Sequence, residues 1–304
     1  MRDRLSSSEP LLTRGLLTQT AARGGGDTRS PPLRCRMPRP NLITMERIVF
    51  LERNTVQAEF RRPNFDHEWI EYAETLPAQV AERLLGATIV ISNKLSLREA
   101  ELSQTPEIKL IAVAATGSDN IDLDYCRRHG IAVSNARGYA ANSVPEHALM
   151  LILALRRNLL AYRADVQSGK WHQSKQFCLL THELRDINGS TLGIIGYGSI
   201  GKAMARLGES IGMRVLISEH QNTKTIREGR AAFAEVLRQS DVISLHCPLT
   251  EETRDMFGAV EFQTMKREAL LINTARGGLV QDAAMIEALR EGLIAGAGFD
   301  ALRD

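Results

Sequence analysis

A glycine-rich segment that begins at residue 191 constrains the fold of this chain more than any other stretch. An apolar run (Thr-Leu-Gly-Ile-Ile) leads into Gly196-x-Gly198-x-x-Gly201, and a helical pattern follows. In a strand–turn–helix unit of this kind the first glycine permits a tight turn, and the second lets a pyrophosphate approach the backbone. The third lets the helix pack closely on the strand. The spacing therefore predicts a dinucleotide-binding turn.

The residues that flank this turn fit the same prediction. The backbone N–H groups of Ser199 and Ile200 open the following helix, where the helix dipole favours anionic phosphates. A second predicted strand, residues 213–218, ends at Glu219, eighteen residues beyond Gly201. An acidic side chain at this place accepts hydrogen bonds from the adenosine ribose. Glu219 therefore favours NAD over NADP, although Lys224 follows closely in the chain.

The overall composition excludes several classes of protein. The chain has 304 residues, 43% of them hydrophobic and 24% charged, which is typical of a soluble globular protein of two domains. A net charge of +2 gives no electrostatic reason to expect nucleic-acid binding. No apolar run reaches the roughly 20 residues that a membrane span requires. The four cysteines form no CxxC or Cys/His cluster, so we expect no metal site and no disulfide framework, as in a reducing, cytoplasmic compartment.

Residues 1–44 differ in composition from the rest of the chain, being rich in arginine, serine, glycine and proline and poor in acids. They resemble an organellar transit peptide, or they are translated upstream sequence with the true start at Met45. The second interpretation is favoured because no clear amphipathic helix is present. In either case we expect this extension to lie outside the fold.

From Met45 onward, apolar strands alternate with helices, which indicates parallel sheets covered by helices on both faces. The fold class is therefore α/β, with two Rossmann-like domains: a flavodoxin-like substrate domain at 45–142 and an NAD-binding domain at 143–304. In the first domain we predict strands at 47–51, 87–92, 108–115 and 131–134, and helices at 77–85, 97–102 and 123–129. In the second we predict strands at 213–218, 241–246, 270–273 and 295–300, with helices between them.

A long helix is predicted to connect the two domains. Ser143 and Glu146 have the spacing of a capping box, and Pro145 suits a first helical turn. The helix is expected to continue to about Val166 and to be buried on several sides, because its body is unusually apolar. His147 is interpreted as a packed helix residue rather than a catalytic one.

Several polar residues follow the predicted strands of the second domain. Ligands of open α/β sheets bind outside the carboxyl ends of the strands, so Glu219, Cys247, Arg276 and Asp300 should border one crevice. Arg276 is followed by two glycines, and its guanidinium is suited to bind a carboxylate through two parallel hydrogen bonds. A surface ion pair is the alternative interpretation of Arg276.

The first domain contributes a second candidate anion site. Thr116-Gly117-Ser118-Asp119 ends a predicted strand, and backbone N–H groups there could hold an anion. Asp119 or Asn120 would then cap the next helix. Capping alone is the alternative interpretation of this segment.

Five segments together resemble the D-isomer-specific 2-hydroxyacid dehydrogenases, and most of all their bacterial glycerate dehydrogenase (hydroxypyruvate reductase) branch. These are residues 115–122, 144–147, 196–201, 246–250 and 273–278, in the order and at the spacing of the family. The resemblance implies an NAD-dependent oxidoreductase that transfers a hydride between NADH and a small 2-oxo or 2-hydroxy acid. Hydroxypyruvate with D-glycerate and glyoxylate with glycolate are the expected pairs. It also implies a homodimer.

The resemblance further implies roles for individual residues. Thr116 and Gly117 would hold the substrate carboxylate by their backbone, and Arg276 would bind and orient the 2-oxo acid. The implied cofactor contacts are Gly196, Gly198, Ser199, Ile200, Gly201, Glu219, Cys247, Pro248, Thr274, Ala275 and Asp300.

One part of the family pattern is missing from the sequence. The family's acid/base histidine and its partner glutamate would fall after Asp304, and none of the seven histidines stands in their place. We therefore expect a truncated chain or a fragment. The alternative is a catalytically inert NAD-binding sensor or scaffold.

Overall fold

The computed structural model describes residues 45–303. The interpretations of residues 1–44 lie outside the described residues, as does Asp304. The described part contains two five-stranded, fully parallel sheets, one formed by residues 46–135 and the other by residues 191–299. The predicted α/β fold class with two parallel-sheet units is confirmed.

The first sheet has the strand order β2-β1-β3-β4-β5. Its strands are β1 (Glu46–Phe50), β2 (His67–Glu71), β3 (Ile89–Ser92), β4 (Leu110–Val113) and β5 (Ala132–Asn135). Its short helices are α1 (Val80–Arg83), α2 (Glu99–Leu102) and α3 (Leu123–Arg128). The strand–helix alternation predicted from periodicity is confirmed here. Continuous apolar runs such as Ile-Val-Phe in β1 occupy the middle of the sheet, where both faces are covered and buried.

Strand β2 was not predicted. Its sequence, His-Glu-Trp-Ile-Glu, has no continuous apolar run, and none of its residues is fully buried. An edge strand pairs on one side only and can carry polar residues, so its composition does not distinguish it from a loop. Its pairing with β1, where Ile70 faces Val49, completes the sheet.

The predicted start of the long helix was wrong. Helix α4 (Ala140–Arg156) begins before Ser143, with Tyr139 at its N-cap and no side-chain capping bond. Pro145 therefore lies inside the helix, in its second turn. Alanines at 140 and 141 favour helix strongly and extend it by about one turn, at the cost of the single hydrogen bond that proline cannot donate.

The predicted end of that helix was also wrong. Asn158 adopts a left-handed conformation (φ 48°), and a separate helix α5 (Leu159–Gln167) follows, then α6 (Lys170–Gln173). Asparagine tolerates this conformation better than most residues, so it can end one helix and start another. Ala148 and Ile152 of α4 are fully buried, whereas Met150 and Leu153 are 47% and 40% exposed. Burial on several sides is therefore not observed, and one apolar face of α4 remains open.

The second sheet has the strand order β10-β9-β8-β6-β7. Its strands are β6 (Thr191–Ile195), β7 (Arg214–Ile217), β8 (Val242–Leu245), β9 (Leu270–Asn273) and β10 (Gly296–Phe299). Its helices are α7 (Ser199–Ser210), α8 (Phe233–Gln239), α9 (Ala259–Thr264) and α10 (Asp282–Arg290). Because β7 and β8 lie on opposite sides of β6, the chain reverses direction across the sheet at β6 and opens a crevice at its carboxyl end.

Helix α4 packs against α7, β9 and β10 of this second sheet. The predicted domain boundary between residues 142 and 143 falls inside the helix and stays a prediction. None of the helices between residues 45 and 303 is long and apolar enough to cross a membrane.

Candidate active site

The glycine turn after β6 contains two glycines that the fold itself requires. Gly196 has φ +94°, and a Cβ placed on it would lie 2.5 Å from the backbone nitrogen of Cys247. A Cβ on Gly201 would lie 2.0 Å from the carbonyl oxygen of Gly196. A Cβ on Gly198, in contrast, would meet no atom within 4 Å. The space next to Gly198 is open, as close approach of a pyrophosphate requires.

Unpaired polar groups lie at the start of α7, next to this open space, and at the end of β9. Gly198 is the N-cap of α7 without a side-chain capping bond, and the N–H groups of Ser199 and Ile200 have no acceptor within residues 45–303. The hydroxyl of Thr274, after β9, is buried and has no partner in that part of the chain. Buried polar groups rarely stay unpaired, and helix N-termini attract phosphate. These residues therefore fit a phosphate-containing nucleotide.

Glu219 follows β7 as predicted, but its carboxylate is already engaged. The residue is only 4% exposed. Its Oε2 accepts a hydrogen bond of 2.6 Å from Nε of Arg227, and its Oε1 accepts one from Nη2 of Arg227 and one from the His220 backbone. Arg227 thereby holds the pKa of the Glu219 carboxyl far below its usual range. The sequence patterns did not reveal Arg227, because an arginine in a polar loop carries no distinguishing signal.

The loop after β8 presents uncharged groups to the crevice. Burial raises the pKa of the Cys247 thiol to about 11, so this cysteine is neutral near pH 7 and is not activated as a nucleophile. Burial lowers the pKa of His246 to about 4, and its Nε2 lies 2.9 Å from the Ser244 hydroxyl. His246 is therefore neutral near pH 7 and does not carry a proton to donate there.

The neutral His246 predicts a pH dependence of stability. Its pKa is about 4 in the folded chain and 6.5 ordinarily, so the unfolded chain binds more protons between these values. Stability is then fully present above about pH 6.5 and falls by up to about 3 kcal/mol as the pH is lowered towards 4. Thermal melts across this range should show a smaller decrease for His246→Gln than for the wild type. If the melting temperatures of the two proteins fall equally with pH, the pH dependence does not arise from His246.

Arg276 is held by the strand that precedes it. The fully buried Asn273, the last residue of β9, donates through Nδ2 to the Arg276 carbonyl (2.9 Å) and accepts through Oδ1 from the Ala275 backbone (3.1 Å). Nη1 of Arg276 donates to the Ala275 carbonyl at 2.9 Å. One buried amide thus fixes the turn that carries the guanidinium. Thr274 and Ala275, the predicted nucleotide contacts, lie in this same turn.

The other edge of the Arg276 guanidinium binds a carboxylate of the chain itself. Nε lies 3.2 Å from Oδ2 of Asp119, and Nη2 lies 2.8 Å from Oδ1. The expectation that Asp119 or Asn120 caps the next helix was wrong. Asp122 is the cap of α3, accepting from the Tyr125 backbone. Asp119 instead accepts the two hydrogen bonds from Arg276, which lower the pKa of its carboxyl.

The two candidate anion sites predicted from sequence meet at this pair. A Cβ on Gly117 would lie 1.9 Å from Nη2 of Arg276, so the guanidinium rests against the backbone of Gly117. The N–H groups of Thr116 and Gly117 have no acceptor among residues 45–303. A cavity of about 660 Å³ opens here, lined by Thr116, Gly117, Asp119, Pro248 and Arg276 among others. Its volume is in the range of small-molecule sites.

Asp300 also lies at the crevice edge, directly after β10. Its Oδ2 is 3.9 Å from Nε2 of His147, and both side chains are partly exposed. The sequence predicted that His147 is a packed helix residue. In the structure its side chain is partly exposed and faces an acid at the edge of the sheet. Among the described residues no group of three His, Cys, Asp or Glu side chains is arranged to hold a metal ion.

The glycine turn and the strand ends agree with what sequence comparison finds. The profile described as "D-isomer specific 2-hydroxyacid dehydrogenase, NAD binding domain" matches residues 149–304. The chain belongs to this family. The family resemblance predicted from the motifs and the predicted cofactor, NAD, are confirmed by this match.

Members of the family with known names are similar over most of the chain. Glycerate dehydrogenase of Methylorubrum extorquens is 48% identical over 256 residues, which cover 84% of this chain and 80% of that protein. Glyoxylate reductase of Thermococcus litoralis is 39% identical over 211 residues, 67% of this chain and 63% of that protein. The solved structure of D-lactate dehydrogenase from Aquifex aeolicus, complexed with NAD and lactic acid, superimposes with a TM-score of 0.66. It is 31% identical, and the match covers 84% of this chain and 77% of that structure.

Proposed function

We propose that the protein reduces a small 2-oxo acid to the corresponding D-2-hydroxy acid with a hydride from NADH and a proton from solution, and catalyses the reverse reaction with NAD. The observation that carries this proposal is the Arg276 fork. It already holds a carboxylate, that of Asp119, with two hydrogen bonds against the backbone of Gly117. A substrate carboxylate is the same chemical group, and the N–H groups of Thr116 and Gly117 offer it further donors.

The cofactor site is proposed to consist of the residues at the carboxyl ends of the second sheet. When bound, NADH supplies the hydride. Gly198 gives the pyrophosphate space, and Ser199 and Ile200 donate backbone hydrogen bonds to it. Glu219 is proposed to accept hydrogen bonds from the adenosine ribose, and Asp300 to hold the nicotinamide carboxamide. The remaining proposed contacts are Gly196, Gly201, Cys247, Pro248, Thr274 and Ala275.

Arg276 is the residue proposed to act on the substrate itself. It would fix the 2-oxo acid by its carboxylate and so orient the carbonyl carbon for hydride transfer, a contribution that depends on geometry as much as on charge. Its charge next to the carbonyl oxygen also favours the negative charge that develops there during reduction.

The proposed substrates are hydroxypyruvate and glyoxylate, with D-glycerate and glycolate as products. The named relatives are a glycerate dehydrogenase and a glyoxylate reductase, which supports both pairs and gives no support to an inert sensor or scaffold. Steady-state NADH oxidation by the full-length protein, with hydroxypyruvate, glyoxylate and pyruvate in parallel, tests the proposal. We expect the highest kcat/KM for one of the first two. Equal, very low rates with all three acids would contradict it.

A homodimer is also proposed, on the open apolar face of α4 and α5. Leu149, Met150, Leu153, Leu159 and Leu207 of α7 line one continuous apolar hollow there. Patches of this kind on a folded domain commonly mark a protein interface. Leu153→Lys should therefore shift the protein from dimer to monomer in sedimentation velocity, whereas Val260→Lys, at an exposed apolar site on α9, should not. A wild-type monomer at micromolar concentration would refute the dimer.

A cytoplasmic location is proposed because Cys126, Cys178 and Cys247 are all free thiols. Fusing residues 1–44 to a fluorescent reporter tests the organellar alternative. A diffuse signal supports the proposal, and import into an organelle contradicts it.

A further inference from the structure

Asp119 occupies the position that the proposed function assigns to the substrate carboxylate. Its two oxygens accept hydrogen bonds from Nε and Nη2 of Arg276, at 3.2 Å and 2.8 Å. A Cβ placed on Gly117 would lie 2.8 Å from Oδ1 of Asp119 and 1.9 Å from Nη2 of Arg276, so the ion pair rests against the Gly117 backbone. This edge of the guanidinium holds one carboxylate at a time, because both of its donors are used by each one that binds.

Arg276 does not depend on Asp119 to stay in place. Its Nη1 donates to the Ala275 carbonyl at 2.9 Å, and the buried Asn273 fixes the same turn through two hydrogen bonds. Asp119 is not needed as a helix cap either, because Asp122 caps α3. The Asp119 carboxylate is therefore a competitor for the fork rather than a support of it.

The side chain of Asp119 is free to leave the fork. It is 52% exposed, so water can solvate its charge after separation from Arg276, and ion pairs of this exposure are weak. Nη2 of Arg98 donates a 2.7 Å hydrogen bond to the Asp119 carbonyl, which holds the backbone, so only the side chain has to rotate. A substrate carboxylate gains the N–H groups of Thr116 and Gly117 in addition to the fork, which favours the exchange.

Lys94 offers the displaced carboxylate a second cation. Arg276 first, and Lys94 more weakly, lower the pKa of the Asp119 carboxyl, so the Lys94 ammonium lies within electrostatic range of it. Oε1 of the buried Glu52 accepts hydrogen bonds from the backbone N–H groups on both sides of Lys94, at 2.7 Å and 2.9 Å, which keeps this loop in place. Asp119 therefore retains part of its electrostatic stabilisation when it turns away from Arg276.

We propose that Asp119 is an internal competitor of the substrate, which closes the Arg276 fork until the carboxylate of a 2-oxo acid displaces it. The inference rests on the proposed function and deepens it, because it identifies a residue that limits the affinity of the site for acids. Competition of this kind weakens substrate and transition state equally, so it acts on KM and not on kcat. Removal of the Asp119 charge should strengthen the binding of every acid that uses the fork, without a faster hydride transfer.

Steady-state kinetics of Asp119→Asn in the full-length protein test the inference, with glyoxylate as substrate and oxamate, an unreactive carboxylate, as inhibitor. We expect the KM for glyoxylate and the Ki for oxamate both to fall about two- to fivefold, the range of an exposed ion pair. The kcat should stay at the wild-type value.

Asp124→Asn is the matched control. Asp124 lines the same cavity and binds Arg127 at 2.6 Å, so this variant loses the same charge without a change at the fork. Its KM and Ki should stay close to the wild-type values. Equal falls in Asp119→Asn and Asp124→Asn would show that only the net charge of the cavity matters, and would overturn the inference.

A crystal structure of the wild type with NADH and oxamate gives a second readout that needs no substitution. The oxamate carboxylate should bind Nε and Nη2 of Arg276, with Asp119 turned away. An Asp119 that keeps both hydrogen bonds in this complex overturns the inference. A higher KM or a lower kcat in Asp119→Asn overturns it as well, because these are the effects of a residue that positions Arg276.

The outcomes separate this inference from the function on which it rests. If the wild type reduces glyoxylate or hydroxypyruvate and Asp119→Asn shows no gain in affinity, the inference is wrong and the proposed function stands. If the wild type binds NADH and reduces none of the 2-oxo acids, both are wrong.

Discussion

Arg276→Lys is expected to lower kcat/KM for hydroxypyruvate by about 10²- to 10³-fold, the usual loss when one positioned donor at the reacting group is removed. Lysine keeps the positive charge but has no planar fork, so it cannot reproduce the two hydrogen bonds that Nε and Nη2 make with a carboxylate. The affinity for NADH should stay nearly unchanged, because these atoms face the cavity at Thr116 and Gly117, where the substrate is proposed to bind. Steady-state kinetics and a nucleotide titration on the same preparation measure the two effects.

Arg128→Lys is the control for this variant. Arg128 forms a 3.8 Å ion pair with Glu99 on the surface of the first sheet unit, and neither side chain lines the cavity. The Arg128→Lys variant should retain wild-type kinetics. If Arg276→Lys also retains them, Arg276 has only the structural role of an ion pair with Asp119.

The second large effect concerns Gly198. Because a Cβ at this position would meet no atom within 4 Å, Gly198→Ala should fold with an unchanged melting temperature. The added methyl group would occupy the space of the pyrophosphate, and we expect NADH binding to weaken about 10- to 100-fold, as in other overpacked sites. Calorimetric melts should therefore show the wild-type melting temperature for this variant, whereas NADH titrations should show a weaker affinity.

Gly196→Ala provides the contrast. Its Cβ would lie 2.5 Å from the Cys247 backbone, and its φ of +94° is unfavourable for alanine, so this variant should lose stability as well as binding. If Gly198→Ala binds NADH like the wild type, the pyrophosphate does not pass over the glycine turn.

Much of the fold could be predicted from the sequence, because buried parallel strands leave a clear pattern. Buried parallel strands are continuous apolar runs, so β6, β8 and β9 were predicted close to their observed bounds. The carboxyl ends of such strands meet at one edge of the sheet, so Glu219, Cys247 and Arg276 could be assigned to one crevice from their positions in the chain. Strand β2 and the break at Asn158 escaped prediction, since an edge strand and a single left-handed residue leave no periodic signal.

The contacts within the candidate site were harder to predict from the sequence, because they join residues far apart in the chain. Asp119 was expected to cap a helix, which is the commonest local use of an aspartate after a strand. Arg276, 157 positions further on, binds it instead. The pair of Glu219 with Arg227 spans a polar loop without regular structure. Local patterns assign a residue to the nearest backbone partner, and only the tertiary fold shows the competing ion pair.

Transfer of a labelled hydride tests the central claim most directly. The full-length protein would be incubated with hydroxypyruvate and NADH deuterated at C4 on one face, and the product analysed by mass spectrometry and chiral chromatography. The account predicts D-glycerate that carries one deuterium at C2 for one of the two labelled faces, and unlabelled D-glycerate for the other. Bound NADH with no glycerate formed, or glycerate without deuterium from either face, would contradict direct hydride transfer to an acid held by Arg276.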